Sequence, residues 1–124
     1  MSYKERLLAA VRESNKVKEV SVPDLTEPVY IRRMSGAERD SYEAALGEYR
    51  DKQGKVDVLG HGNKITARLL LVGLGDENGE RVFDDDDADM VRKTFSWAAM
   101  DYLSGEVLRF NRLNDNAAKD AAKN

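Results

Sequence analysis

The sequence contains no cysteine, two prolines and a single histidine among its 124 residues. A chain without cysteine can form neither disulfides nor thiolate metal sites, and it has no cysteine nucleophile. No apolar run approaches the ~20 residues that span a bilayer, and charges interrupt the short apolar run near the start, unlike a secretory signal. We therefore expect a soluble protein of a reducing, cytoplasmic compartment with no membrane partner.

No charge of either sign dominates the chain. It has 20 basic and 23 acidic side chains, interspersed along its length, and a net charge of −3. This balance gives no electrostatic reason to expect a nucleic-acid partner, and no basic patch with interleaved aromatic residues occurs. A chain of this length has room for one core. We predict a single globular domain over residues 1–113 and a small, polar, flexible tail over residues 114–124.

Hydrophobic periodicity predicts a mainly α domain with a small β element, an α+β fold. The first amphipathic helix is expected over residues 3–14. Period-two runs near Val20 and over residues 29–31 predict two short strands, which form either a hairpin or two separate edge pieces. Ser35 and Glu38 have the spacing of a capping box, which predicts a helix from there to about Arg50.

The second half of the chain predicts three further helices. The glycine-containing segment 51–63 is expected to be a mobile connection, and Asn63 at its end is expected to cap a central, very apolar helix that ends at residues 73–75. A turn over 76–79 and an extended piece over 81–83 follow. Carboxylates at Asp84 to Asp87 suit the positive end of another helix, and the last helix is expected over residues 96–113.

No candidate for catalysis or metal binding has the required surroundings. His61 lies between two glycines in the predicted loop, where nothing would orient its ring. The acidic run from Asp84 to Asp89 lacks the glycine and glutamate positions of a calcium-binding loop, so helix capping explains it better. Gly73 and Gly75 are not followed by the Gly-Lys-Ser/Thr of a phosphate-binding loop. We expect no enzyme activity, no cofactor and no bound metal.

The last helix carries an apolar stripe over two heptads. We interpret this stripe mainly as core, because a small domain must bury most of its large side chains, but its outer edge can bind a partner helix. The expected partner-binding residues are therefore those of the stripe and two carboxylates of the acidic run: Trp97, Met100, Leu103, Val107, Phe110, Asp85 and Asp86.

The order of these pieces resembles the tail assembly chaperones of long-tailed phages with non-contractile tails. The resemblance rests on the strand VYIRRMS before the capped helix, the apolar helix KITARLLLVGL, the segment DENGERVFDDDDADMVRKTF and the late Leu113-Asn114 pair. It covers roughly residues 20–114. Each piece is generic alone, and only their order and spacing are informative. The family has no catalytic residues, so the resemblance identifies no site.

The resemblance implies a helper of tail assembly that is not retained in the virion. Such a protein binds the tape measure protein, keeps its apolar helices soluble in the host cytoplasm and helps to recruit tail tube subunits. These families often make a longer product by ribosomal frameshifting near the end of the short gene, and an A-rich run encoding Lys123-Asn124 is compatible with that. The oligomeric state stays open, with a homo-oligomer as one outcome.

Two other classes of function compete with this interpretation. One is a structural or connector component of the tail that stays in the virion. The other is a small acidic regulatory domain that binds a metal ion or a nucleotide through the aspartate run. Detection in purified particles would favour the first, and stabilisation by calcium would favour the second.

Overall fold

The computed structural model describes residues 1–113, except for the side chains of residues 58–60; the predicted tail, residues 114–124, lies outside the described residues. In the described part, two short 3-10 segments, Leu46–Tyr49 and Asp85–Asp87, accompany five α-helices and three strands. The α+β prediction is confirmed. The helices are α1 Tyr3–Ser14, α2 Gly36–Ala45, α3 Val58–Gly73, α4 Ala88–Thr94 and α5 Trp97–Phe110, and the strands are β1 Lys18–Val20, β2 Val29–Ile31 and β3 Leu74–Gly75.

The strands form one antiparallel sheet in the order β1-β2-β3. Val20 lies opposite Val29, so the two predicted strands do pair with each other. The third strand was not predicted: Leu74, which we assigned to the central helix, lies opposite Ile31. Periodicity cannot separate a two-residue buried strand from the end of an apolar helix. The pairing exists because the chain leaves α3 at Gly73 and runs directly alongside β2.

Helix α3 lies at the centre of the fold and packs against α2, α4 and α5. Its buried residues include Ala67, Leu70 and Leu71, each at most 1% exposed. Near its end α3 approaches α5 so closely that a Cβ added at Gly73 would overlap the side chain of Val107. Glycine is therefore required at this position for the two helices to pack at this distance, rather than for a special backbone conformation.

The guanidinium group of Arg32 joins four parts of the fold. Its Nη1 donates to the Val72 carbonyl at 2.8 Å and to Glu38 Oε2 at 2.9 Å, and its Nε donates to the Gly79 carbonyl at 2.8 Å. The side chain thus connects the end of β2 to α2, to the last turn of α3 and to the turn after β3. Burial disfavours ionised Glu38, but the hydrogen bonds from Arg32 and Ser35 outweigh it and lower the pKa of Glu38.

Helix α2 begins as predicted, with Ser35 and Glu38 forming both hydrogen bonds of the capping box. The prediction for residues 51–63 was wrong in its second half, because residues 58–63 belong to α3. Asp51 closes a tight turn by accepting from the amides of Gln53 and Lys55, and Gly54 takes the positive φ of 81° that the turn needs. Helix α3 then begins at Val58, five residues before the expected cap.

Candidate partner-binding surface

Three of the five stripe residues that we predicted to bind a partner lie in the core. Met100, Leu103 and Val107 are at most 1% exposed, so in the folded chain they are packed in the core. Phe110 is half-buried, and the guanidinium of Arg33 lies 4.2 Å above its ring. Burial of this side of α5 agrees with our main interpretation of the stripe as core.

Trp97, the first residue of the stripe, is 74% exposed. The Ser96 side chain accepts from the Ala99 amide and caps α5, so Trp97 occupies the first helical position, at the outer end of the stripe. Isolated exposed apolar residues are common, but tryptophan is the side chain that most often contributes strongly to protein interfaces. Trp97 is therefore the member of the predicted set that is best placed to contact a partner.

A groove of about 260 Å³ lies beside Trp97, between α3 and α5. Ile65 and Met100 supply apolar lining, and Asn63 and Asp101 supply polar groups. The amide of Asn63 is held on both sides: its Nδ2 donates to Met100 Sδ at 3.6 Å, and its Oδ1 accepts from Arg92 Nε at 3.0 Å. An apolar groove with a fixed polar rim and an exposed indole can accept an apolar side chain of a helix.

The acidic run mainly caps the 3-10 segment Asp85–Asp87, which precedes α4. The side chain of Asp84 accepts from the Asp86 amide, and the side chain of Asp87 accepts from the Asp84 amide, both at 2.9 Å. Asp85 Oδ1 lies 3.2 Å from Arg81 Nη2. The two carboxylates predicted to bind a partner, Asp85 and Asp86, are both exposed. Both carboxylates are therefore accessible to a partner, but neither lines the Trp97 groove.

A second cleft, of about 200 Å³, lies between α2, α3 and residues 81–85. Its charged groups are already paired: Arg81 Nε donates to the Leu71 carbonyl at 2.9 Å, and Glu38 binds Arg32. This cleft therefore has few charged side chains that are free to bind a partner.

Within residues 1–113 no three potential metal-ligating side chains lie together, and no helix there is long and apolar enough to cross a membrane.

His61 lies in α3 and not in the loop where we placed it. Its ring is 5.2 Å from the ring of Tyr49, and its Nε2 is 4.0 Å from Asp57 Oδ2, beyond hydrogen-bond distance. The glycines on either side weakened the helix signal, while the Asp57 carbonyl accepts from the His61 amide and begins the helix. The ring is therefore packed at the edge of the core.

Sequence analysis did not predict that the apolar face of α1 is exposed. Although α1 occupies the predicted residues, none of them is buried. Tyr3, Leu7, Leu8 and Val11 are between 42% and 67% exposed. The spacing of these residues showed that the helix has an apolar face, but nothing in it showed whether the rest of the chain covers that face.

Comparisons with known proteins identify the fold. No protein-family model matches the chain, and no curated protein matches it by sequence. Among solved structures, the bacteriophage HK97 tail assembly chaperone matches with a TM-score of 0.60 and 20% sequence identity, over 88% of this chain and 98% of that one. The similarity extends over nearly the whole of the chaperone. The chain thus has the fold of the HK97 tail assembly chaperone.

Proposed function

We propose that this protein is a phage tail assembly chaperone that binds the tape measure protein, keeps it soluble in the host cytoplasm and helps to recruit tail tube subunits, without staying in the virion. The observation that carries the proposal is the likeness in fold to the HK97 tail assembly chaperone over 88% of the chain. It agrees with the order of sequence elements, which resembles the same class of protein independently of the coordinates.

The physical task of such a chaperone is to cover apolar helices before they assemble. Long chains with exposed apolar surface aggregate unless another surface covers it. The Trp97 groove offers an exposed aromatic side chain beside an apolar pocket, which is the arrangement that accepts a side chain from a partner helix. The exposed carboxylates of Asp85 and Asp86 add negative charge that keeps a complex dispersed.

Co-expression with the tape measure protein of the same phage tests the proposal. We expect a soluble complex that contains both chains, and loss of tape measure solubility when this chain is omitted. Light scattering of the purified complex gives its stoichiometry. A tape measure protein that stays insoluble while this chain elutes alone would contradict the proposed activity, and this protein should then be sought inside purified particles as a virion component.

The substitution Trp97→Ala tests the role of the groove. Because Trp97 is exposed, its loss should leave the fold intact but weaken the complex by about tenfold or more, as is typical of an interface tryptophan. Tyr102→Ala is the matched control, since Tyr102 is an exposed aromatic residue of the same helix outside the groove lining. Equal weakening by both substitutions would show that the groove is not the specific contact.

A further inference from the structure

Two exposed side chains of the Trp97 groove lie next to each other on α5. Trp97 and Asp101 are four residues apart, which places their side chains in one row along the helix, and both line the groove. The Trp97 side chain is 74% exposed, and Asp101 is exposed as well. The groove therefore presents an aromatic ring and a carboxylate side by side.

The Asp101 carboxylate forms no salt bridge within residues 1–113. The Ser104 hydroxyl donates to the backbone carbonyl of Asp101, so this bond leaves the carboxylate unused. Arg92, a basic side chain at the rim of the groove, is already bound: its Nε donates to Asn63 Oδ1 at 3.0 Å and its Nη1 donates to Asp89 Oδ1 at 3.1 Å. Arg92 therefore neutralises Asp89 rather than Asp101.

The other polar side chains of the groove are bound within the chain. The Thr66 hydroxyl donates to the Gly62 carbonyl at 2.9 Å, and the Asn63 amide is held on both sides. Among residues 1–113 no cationic side chain lies over the Trp97 ring, since both cation–π contacts there involve other aromatic residues. The indole and the Asp101 carboxylate are therefore the groups that the groove offers to a partner.

An indole beside a carboxylate, above an apolar lining, fits the side chain of arginine. The ring quadrupole attracts a cation above its face, and tryptophan does so more strongly than the other aromatic residues. The planar guanidinium can stack on an indole and donate to a carboxylate at the same time, while its methylene stem packs on Ile65 and Met100. A leucine would fill the apolar part but leave the Asp101 carboxylate partly desolvated and unpaired.

We propose that the Trp97 groove binds an arginine side chain carried by a helix of the tape measure protein, with the guanidinium stacked on Trp97 and paired with Asp101. This inference rests on the proposed function, because that function supplies the helical partner. It adds a chemical specificity, since the groove then selects apolar helices that carry a basic residue at the point of contact. The net charge of the chain, −3, favours the approach of such a segment.

Trp97 is the single tryptophan of the chain, so its fluorescence reports directly on the groove. Binding should shift its emission to shorter wavelength, because the indole leaves water. The probes are helical peptides from segments of the tape measure protein of the same phage that carry an arginine among apolar residues and lack tryptophan. Each is compared with versions in which leucine or glutamate replaces that arginine. We expect the leucine version to bind about tenfold more weakly to the full chain, and the glutamate version more weakly still.

Substitutions of Asp101 test the ion pair. Asp101→Asn should weaken binding of the arginine peptide about two- to fivefold, as is typical of an exposed ion pair, and leave binding of the leucine peptide unchanged. Asp101→Lys should reverse the preference, so that the glutamate peptide binds better than the arginine peptide. Asp40→Asn is the matched control, because it removes the same charge from an exposed carboxylate of α2 outside the groove lining, and it should change neither affinity.

The outcomes separate this inference from the proposed function. If the Asp101→Lys variant still solubilises the tape measure protein and the leucine peptides bind as well as the arginine peptides, the arginine contact is overturned and the chaperone function stands. If the unmodified chain does not bind the tape measure protein at all, both are overturned. A reversed charge preference in Asp101→Lys, with an unchanged thermal unfolding curve, would support the contact, because a merely structural role of Asp101 cannot exchange one partner charge for the other.

Discussion

Helices α1 and α5 have the same kind of sequence and opposite surroundings. Each is amphipathic, each is capped by a serine, and each has apolar residues three or four positions apart. In α5 the middle of the stripe is buried, with Leu103 fully inaccessible, whereas in α1 the corresponding Leu7 is 48% exposed. The comparison shows that the spacing of apolar residues predicts a helix with one apolar face. It does not predict whether another part of the protein covers that face.

Replacing a leucine by alanine in each of the two helices should give the largest difference in the free energy of unfolding. Leu103→Ala should lower the free energy of unfolding by about 2–5 kcal/mol, because it removes buried methyl groups and leaves a cavity. Leu7→Ala should change it by less than about 0.5 kcal/mol in dilute solution, where α1 is uncovered. Urea unfolding at low protein concentration measures both. Similar losses in the two variants would contradict the exposure of α1.

Two glycine-to-alanine substitutions, one in α3 and one in α5, test whether close packing between these helices requires glycine. Gly73→Ala should destabilise the fold by about 1–3 kcal/mol, because the new methyl group overlaps Val107. Gly105→Ala should stabilise it by up to about 1 kcal/mol, because alanine favours the helix and the nearest atom, Arg109 Nη1 at 3.3 Å, belongs to a flexible side chain.

Thermal unfolding of both glycine variants measures these opposite shifts. The double variant Gly73→Ala with Val107→Ala should lose less than the two single losses combined, since the smaller side chain makes room for the methyl group. Strict additivity would show that the overlap with Val107 is not the cause.

The smallest effect concerns Glu106, a buried carboxylate of α5. Hydrogen bonds from Lys18 Nζ at 2.9 Å and Arg109 Nη2 at 2.8 Å lower the pKa of Glu106. A lowered pKa in the folded state contributes stability above the ordinary glutamate pKa of about 4.3, and this contribution is lost as the pH falls through the lowered value. Glu106→Gln should therefore cost about 1 kcal/mol at pH 7 and less at pH 3.

Unfolding curves of the Glu106→Gln variant and the unmodified chain across that pH range measure the difference. Asp101→Asn, a carboxylate of the same helix without a salt bridge among the described residues, is the matched control and should change little at either pH. A cost for Glu106→Gln that is the same at pH 7 and pH 3 would contradict the lowered pKa.

Capping chemistry explains why much of the fold could be predicted. Ser35 with Glu38, Asp84 and Ser96 each satisfy backbone amides through local hydrogen bonds, and each marks the start of a helical segment in the structure. The two strands β1 and β2 likewise followed from a period of two, whereas the structure showed that they pair with each other. Such features depend on residues a few positions apart, so they can be recognised without knowledge of the tertiary fold.

The partner-binding surface could be predicted only in part. Trp97 belongs to the apolar stripe by its spacing, yet it lies at the exposed first position of α5, while Met100 and Val107 are enclosed by α3. The early start of α3 was missed because Gly60 and Gly62 weaken helix propensity. The contacts that hold this part of α3 come from Tyr49, at the end of the 3-10 segment Leu46–Tyr49, and from Asp57. The first error concerns burial by a distant part of the chain, and the second concerns a weak local helix signal.

The sequence by itself determined the existence of the helices, the caps at Ser35 and Asp84, the two short strands β1 and β2 and the α+β class, because hydrogen bonds and apolar periodicity act over a few residues. Only the tertiary structure decided the rest: the third strand beside β2, the burial of the α5 stripe, the exposure of Trp97 and the uncovered face of α1. The physical reason is that burial depends on which surfaces meet in space. Gly73 and Val107 meet across 34 positions of the chain, a pairing that no local pattern encodes.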